Sequence, residues 1–222
     1  MTQRQTIPLG GAIFDCDGIL VDSERPWLDL MAAYLDRLGV NDDRAESFRG
    51  LSGAEAAEQL AAVATGVGTA PTATEIDSAY TAALAEVSAP MPGARQLVRA
   101  LAGVVPIAVA SNGRSADVRG LLDRAGLLDC FDAIVTIDDV DDGKPSPDVY
   151  LRAAHDLGLD PRVAVAFEDS PVGSQAAAAA GCTVVGINAD RGIPLVADVR
   201  LTEMSDVHVD PTTRMLRISV DG

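Results

Sequence analysis

The pattern of apolar and polar residues changes character along the chain. A short apolar run at Gly11–Phe14 stops abruptly at Asp-Cys-Asp-Gly, which is typical of a buried strand with a polar carboxyl end. From about residue 22 to residue 89 the pattern favours helices, and it shows no strand signal. We predict helices over residues 24–38, 54–64 and 73–87, with Gly39 as the C-terminal cap of the first.

After the stiff segment Pro90-Met91-Pro92-Gly93, apolar runs alternate with helical patterns. The predicted strands are residues 104–110, 133–137, 163–167 and 183–187, and the predicted helices are residues 116–125, 148–157 and 171–180. Such alternation favours parallel βαβ units. We therefore predict an α/β fold, with a doubly wound parallel sheet and a small all-helical cap inserted directly after the first strand. The core would comprise residues 1–21 and 91–222, and the cap residues 22–90; the tail after about residue 200 shows no clear pattern.

Composition narrows the classes of partner. The 222 residues are 48% hydrophobic, which is enough for a sizeable core, and the net charge is −16. A field of that sign repels nucleic acid and anionic membranes, so we expect neither as a partner. Cys16, Cys130 and Cys182 lie in or beside apolar runs, which favours buried free thiols in the reducing cytoplasm. No apolar run reaches membrane-spanning length. Monomer and homodimer both stay open.

Polar residues follow four of the predicted strands. Ligands of open parallel sheets bind beyond the carboxyl ends of the strands, so these residues are expected to share one site. They are Asp15 and Asp17, then Ser111 and Asn112, then Lys144 in Gly-Lys-Pro, and finally Glu168 and Asp169.

The carboxylates indicate a metal site. Asp15 and Asp17 are two residues apart on an extended segment and point to the same side, and Gly18 lets the backbone turn. With Asp169 they would repel one another unless a cation lies among them, and hard oxygen ligands suit Mg²⁺. An isolated Asp-x-Asp is more often a turn or a helix cap. Here the other strand ends supply matching chemistry.

Lys144 is the chain's one lysine beside 16 arginines. A compact ammonium fits where a forked guanidinium does not, although one lysine must fall somewhere by chance. Ser111 and Asn112 precede a predicted helix, where such residues commonly cap or turn. They are also suited to bind phosphate oxygens at a helix start. The two roles are compatible.

These residues resemble the four motifs of the haloacid dehalogenase superfamily, in order, over about residues 11 to 188. The motifs are Asp15-Cys16-Asp17-Gly18-Ile19-Leu20, Ser111-Asn112, Lys144 and Glu168-Asp169. Flanking segments resemble the branch of β-phosphoglucomutases and sugar-phosphate phosphatases. Those segments are Val21-Asp22-Ser23-Glu24, Gly143-Lys144-Pro145-Ser146-Pro147-Asp148 and Phe167-Glu168-Asp169-Ser170-Pro171-Val172-Gly173.

The resemblance implies a phosphatase of a small phosphorylated sugar or polyol. Asp15 would be the nucleophile that forms an aspartyl-phosphate, and Asp17 the general acid and base. Mg²⁺ would be held by the Asp15 side chain, the Asp17 main-chain carbonyl and Asp169, with Glu168 on a metal-bound water. The phosphoryl oxygens would be bound by Lys144, Ser111, Asn112 and Gly18.

Several relatives of that superfamily fit less well. The resemblance implies that dehalogenases lack the second aspartate, which Asp17 supplies here, and that phosphonate hydrolases need a cap lysine, which this chain lacks. β-Phosphoglucomutases carry a His where this chain has Trp27, and a cap Arg where it has Gly53. The mutase stays the alternative, and a non-catalytic phosphate- or metal-binding protein on the same fold is a further one.

Four cap residues are candidates for substrate contact: Trp27, Arg49, Gly50 and Ser52. Trp27 would flank the carbon skeleton of the substrate, although a lone Trp is more commonly core packing. Arg49 is equally well interpreted as a solvated surface charge.

Overall fold

The computed structural model describes residues 3–40, 44–49, 51–64, 68–87 and 89–220, without the side chains of residues 3, 4 and 220. It divides into two compact units. One comprises Met1–Val21 with Ala89–Gly222 and is called the α/β unit below. The other, Asp22–Ser88, is called the helical unit.

The described residues form nine strands, all in the α/β unit. They are β1 (Gln3–Pro8), β2 (Gly11–Phe14), β3 (Ile107–Ala110), β4 (Ala133–Val135), β5 (Ala164–Glu168), β6 (Thr183–Ile187), β7 (Val199–Leu201), β8 (Val207–Asp210) and β9 (Met215–Val220). They also form seven α-helices. These are α1 (Glu24–Arg37), α2 (Gly53–Val63) and α3 (Ala73–Leu84) in the helical unit, and α4 (Ala94–Leu101), α5 (Ser115–Arg124), α6 (Asp148–Asp156) and α7 (Pro171–Ala180) in the α/β unit.

Six strands pair in parallel in the spatial order β4-β3-β2-β5-β6-β7. From the centre of the sheet, β2, β3 and β4 follow one another towards one edge, and β5, β6 and β7 follow one another towards the other edge. The predicted doubly wound parallel sheet is therefore confirmed. Its strand order reverses between β2 and β5, and ligands of such sheets bind at this switch point. Two strands are shorter than predicted, since β3 begins at Ile107 and β4 ends at Val135.

A second sheet of three antiparallel strands has the order β1-β9-β8. This sheet was not predicted from the sequence, and no strand was predicted before Gly11. The helical unit consequently follows the second strand of the chain, which is the first strand of the parallel sheet. Helix α4 was also missed, although its buried residues Ala94, Leu97, Val98 and Leu101 have helical spacing.

The helical unit contains no strand among its described residues, as expected. Its helix α1 ends close to the predicted position, and Gly39 adopts the left-handed conformation with φ of 73°. Helix α3 ends at Leu84, three residues before the predicted end. The core of the helical unit is apolar and includes Met31, Leu60 and Ile76.

All three cysteines are free. Cys16 and Cys182 are buried, but Cys130 is only half-buried, so the prediction of three buried thiols was wrong for that residue. It is the last residue of a short 3-10 helix, Leu128–Cys130, in which no residue is buried. Within the described ranges, every helix is too short or too polar to cross a membrane.

Candidate active site

Asp15 is positioned by the pairing of β2 with β5. Phe14 and Phe167 are register partners, and their rings stack with centroids 4.7 Å apart. The Asp15 N–H continues the ladder by donating to the Phe167 carbonyl over 3.0 Å. The residue after β2 therefore lies beside Glu168, the last residue of β5, at the switch point.

The chain turns sharply after Asp17. Gly18 has φ of 78°, and its N–H donates to the Val21 carbonyl over 2.8 Å. A Cβ at Gly18 would lie 2.0 Å from Asp169 Oδ2. Both the backbone angle and the close carboxylate therefore require glycine here. This is a steric reason for Gly18, while its predicted contact with phosphate stays a prediction.

Lys144 points into the carboxylates at the switch point. Its side chain is only 4% exposed, and Nζ donates to Asp15 Oδ1 and, over 2.7 Å, to Glu168 Oε1. The Asn112 side chain holds the main chain of Lys144 from both sides: Lys144 N donates to Oδ1 over 2.8 Å, and Nδ2 donates to the Lys144 carbonyl over 3.1 Å. The side-chain amide of Asn112 thus braces Lys144, and its contact with phosphate stays a prediction.

Ser111 and Asp17 complete the group. Ser111 is buried at the end of β3; its Oγ donates to Asp17 Oδ2 over 3.4 Å and accepts from the Gly113 N–H over 2.9 Å. Asp17 itself is half-buried. The end of β3 therefore touches the second aspartate, as expected for strand ends that share one site.

Three carboxylates converge closely enough to hold one cation. Ligand oxygens of Asp15, Glu168 and Asp169 lie within 4.8 Å of one another. Burial raises the pKa of Asp15 well above its ordinary value, and the Lys144 ammonium opposes this rise only in part. Burial and the neighbouring Glu168 raise the pKa of Asp169 to about 7. Crowded, desolvated carboxylates of this kind are stabilised by a hard cation, and an all-oxygen donor set fits Mg²⁺.

The same environment also sets the pKa of Lys144. Burial alone would lower the pKa of Lys144, but the carboxylates of Asp15 and Glu168 outweigh burial and raise that pKa above its ordinary value. Lys144 therefore stays charged throughout the physiological pH range. It is a fixed positive charge in contact with the candidate nucleophile.

Within the helical unit, Trp27 and Arg49 have intramolecular partners. Trp27 is 7% exposed, and its Nε1 donates to the Phe48 carbonyl over 2.7 Å. Arg49 is exposed and forms ion pairs with Glu24 and Glu46. Contact of either residue with a substrate stays a prediction.

Ser52 is the N-cap of α2. Its Oγ accepts from the Glu55 N–H, and the Glu55 carboxylate accepts from the Ser52 N–H over 2.8 Å. This reciprocal pair satisfies two main-chain donors at the helix start. Gly50 lies outside the described residues. A role of either in substrate binding stays a prediction.

Three residues of the site were missed from the sequence. The Tyr150 hydroxyl on α6 donates to Glu168 Oε1 over 2.7 Å, and Ser170 Oγ donates to Glu168 Oε2 over 3.2 Å. Asn188 follows β6, and its Nδ2 donates to the Asp169 carbonyl over 2.9 Å. The position of Asn188 directly after a strand is a signal that could have identified it. Tyr150 offers no such signal because it lies within a helix.

Comparisons with known proteins indicate the family of this chain. The family model described as haloacid dehalogenase-like hydrolase matches residues 10–181. The chain is 33% identical over 211 residues to the validoxylamine A 7'-phosphate phosphatase of Streptomyces hygroscopicus subsp. limoneus, over 90% of this chain and 98% of that protein. It is 34% identical over 199 residues to hexitol phosphatase A of Escherichia coli (strain K12), over 86% and 88% of the two chains.

A solved structure supports the same assignment. The HAD family hydrolase from Deinococcus radiodurans R1, with bound phosphate and sodium, has a TM-score of 0.73 and 29% identity, over 89% of this chain and 93% of that one. The resemblance predicted from the strand-end motifs is confirmed, and with it the prediction of a hydrolase. Asp15, Lys144 and Asp169 all fall within the segment that the family model matches, and this chain belongs to the haloacid dehalogenase-like hydrolase family.

Proposed function

We propose that this protein is a Mg²⁺-dependent phosphomonoesterase that acts on a small phosphorylated sugar or polyol through an aspartyl-phosphate at Asp15. The observation that carries the proposal is the buried ammonium of Lys144 in contact with the Asp15 carboxylate. A preorganised charge at a water-poor site stabilises the charge that develops on phosphoryl oxygens. The names of the relatives, a validoxylamine phosphate phosphatase and a hexitol phosphatase, support the substrate class.

In the first half of the reaction, an Asp15 carboxylate oxygen attacks phosphorus and forms a new P–O bond. The bond from phosphorus to the alcohol oxygen of the substrate breaks at the same time. Asp17, in its protonated form, gives its proton to that leaving oxygen. Its half-buried position beside Ser111 supports this role, since the acid must reach the substrate. The products are a free alcohol and an aspartyl-phosphate.

In the second half, water attacks the phosphorus of the aspartyl-phosphate. Asp17, now a carboxylate, accepts the proton of that water. The bond between phosphorus and the Asp15 oxygen breaks, so inorganic phosphate leaves and the Asp15 carboxylate is restored. Lys144 holds its charge beside the reacting oxygens through both halves, since the carboxylates around it favour the ammonium.

Mg²⁺ would be held by the side chains of Asp15 and Asp169 and by the main-chain carbonyl of Asp17. When bound, it supplies positive charge that offsets the repulsion between the phosphate and these carboxylates. A chain with a net charge of −16 needs such local positive charge to bind an anionic substrate.

Free cysteines suit a reducing compartment, and we propose that the protein is cytoplasmic.

The test is phosphate release from a panel of phosphorylated sugars, polyols, glycolate and nucleotides, with Mg²⁺ and with a chelator. We expect release from a sugar or polyol phosphate that chelator abolishes and that Mg²⁺ restores. Asp15→Asn is the matched control, because it keeps the shape of the side chain and removes the nucleophile. Release that persists in Asp15→Asn would contradict the proposed mechanism.

The same panel separates the alternatives. It includes β-glucose 1-phosphate with its bisphosphate activator, and conversion to the 6-phosphate without phosphate release would establish the mutase. Binding of Mg²⁺ and phosphate without turnover of any compound would establish a binding protein. Either result would overturn the phosphatase proposal.

A further inference from the structure

Glu168 accepts hydrogen bonds from donors on three segments of the chain. Its Oε1 accepts from Lys144 Nζ and from the Tyr150 hydroxyl, each over 2.7 Å. Its Oε2 accepts from Asp169 N over 3.2 Å, from Ser170 N over 3.4 Å and from Ser170 Oγ over 3.2 Å. A carboxylate offers about four lone-pair sites, and these five donors engage both of its oxygens.

The surroundings of Glu168 leave it one position. It is fully buried. A Cβ at Gly173, in the first turn of α7, would lie 1.9 Å from its Oε1. The main-chain N–H groups of Asp169 and Ser170, just before α7, donate to one oxygen, and the other oxygen faces Lys144 and Tyr150. The carboxylate is thus a rigid anchor aimed at the ammonium.

Among the side chains that contact Glu168, Tyr150 is neutral and also lies beside the charged Lys144. Its hydroxyl reaches Glu168, and Lys144 Nζ lies 5.1 Å from the centroid of its ring. A cation at that distance from an aromatic ring is attracted by it. Tyr150 is fully buried on the inner face of α6, so neither contact is shared with solvent.

We propose that Tyr150 is a positioning residue of the active site. Its hydroxyl orients Glu168, and Glu168 in turn holds the Lys144 ammonium against Asp15. Tyr150 touches neither the substrate nor the reacting atoms and acts through these two side chains. The effect on rate rests on the proposed phosphatase function, but the effect on Lys144 does not.

Simple core packing is the competing explanation. Tyr150 belongs to the apolar cluster that contains Ile13 and Val149, and a buried hydroxyl needs a hydrogen-bond partner in any case. If packing were its only role, loss of the hydroxyl would lower stability and leave Lys144 and the rate unchanged. The two explanations therefore differ in a measurable way.

The first measurement is steady-state kinetics of Tyr150→Phe with the substrate found in the panel. We expect kcat to fall about tenfold, with KM within about twofold, because a misplaced catalytic group affects the transition state more than substrate binding. Tyr34→Phe is the matched control, since Tyr34 is a buried tyrosine of the helical unit. A kcat within about twofold of wild type in Tyr150→Phe would overturn the proposal.

A double-mutant cycle tests the path through Glu168. In a Glu168→Gln background, we expect Tyr150→Phe to lower kcat by less than about twofold, because the carboxylate that it orients is already gone. Equal tenfold losses in both backgrounds would mean that Tyr150 acts independently of Glu168, and would refute the inference. Thermal unfolding of each variant establishes that the chains compared are folded.

A second readout needs no substrate. Lys144 is the chain's one lysine, so protein labelled with ¹⁵N at the lysine side chain gives a single ammonium signal by NMR. We expect a sharp signal in the wild type and in Tyr34→Phe, and a shifted, broadened one in Tyr150→Phe. An unchanged signal in Tyr150→Phe overturns the inference, even if the panel finds no substrate and the phosphatase proposal fails.

Discussion

The two units differ in where they place ion-paired side chains. The α/β unit has exposed ion pairs, such as that of Arg162 with Asp160, and also a buried group, whereas the ion pairs of Arg49 in the helical unit are exposed. In the α/β unit the side chains of Lys144, Asp15 and Glu168 are 4%, 9% and 0% exposed, and they contact one another. In the helical unit the ion pair of Arg49 with Glu24 leaves those side chains 42% and 38% exposed. The buried residues of the helical unit's core are apolar or aromatic.

The contrast supports the proposal that the reaction takes place in the α/β unit. Removing an ion from water costs several kcal/mol even when a partner is present, whereas an exposed pair costs little and contributes about 0–1 kcal/mol. A fold that needed only stability would place apolar side chains at the switch point. The buried charges there are better explained by a reaction that uses them.

Asp15→Asn should give the largest difference between the units. We expect turnover to fall below detection, because an amide does not form the covalent intermediate, while the chain stays folded, since Lys144 keeps Glu168 as its buried partner. Asp29→Asn, at an exposed position of α1, is the matched change in the helical unit and should keep full activity. Phosphate release and thermal unfolding measure both. Equal activity in the two variants would remove the distinction between the units.

Lys144→Ala should affect both rate and stability. Loss of a preorganised charge raises the barrier by about 3–4 kcal/mol, which lowers kcat by about 10²–10³-fold. Asp15 and Glu168 would also lose their buried partner, and breaking such a pair costs about 3–5 kcal/mol of unfolding free energy. Kinetics and urea unfolding measure the two losses. A variant with normal stability would show that the buried pair is not a net contributor to the fold.

Gly173→Ala sharpens the comparison at a single methyl group. The new Cβ would collide with the buried Glu168 carboxylate, which has no room to move, so we expect a loss of about 1–3 kcal/mol in unfolding free energy. Gly53→Ala is the control in the helical unit. Its Cβ would lie 2.1 Å from Oδ1 of Asp77, an exposed side chain that is free to turn away. Urea unfolding should show little change there, and equal losses would contradict this account.

The capping boxes give the smallest effect. Ser52→Ala and Thr72→Ala each remove the N-cap side chain of a box of the same type, at α2 and at α3, and each should cost about 1 kcal/mol of unfolding free energy. Only Ser52 was predicted to contact substrate. A rise in KM for Ser52→Ala but not for Thr72→Ala would establish that contact, and equal KM values would leave Ser52 with a capping role alone.

The parallel strands could be predicted because their signal is local. A strand buried on both faces is a continuous apolar run, as at Ala164–Glu168, and a functional polar residue ends it abruptly. The positions of Asp15 and Lys144 followed from that pattern together with the family motifs. Helix α4 was missed although its apolar spacing was present, because the proline-rich segment before it indicates a break in regular structure.

Other features depend on contacts that are distant in sequence. Strand β1 pairs with β9 from the other end of the chain, and neither is apolar enough to be recognised alone. The spacing of apolar residues in α6 indicates that Tyr150 is buried, but its partner Glu168 lies on β5. Likewise, nothing near Asn112 in sequence indicates that its amide is used on the main chain of Lys144.

The pairing of β1 with β9 places Gln3 opposite Val220. Antiparallel partners have Cα atoms about 4.5–5.5 Å apart, so a linker of a few residues would connect β9 to β1 as a hairpin. New ends opened at the exposed turn around Gly103 would give a circular permutant with every strand pair intact. In such a permutant β5, which carries Glu168, would be synthesised before β2, which leads to Asp15. The order of synthesis of the active site is therefore separable from its architecture.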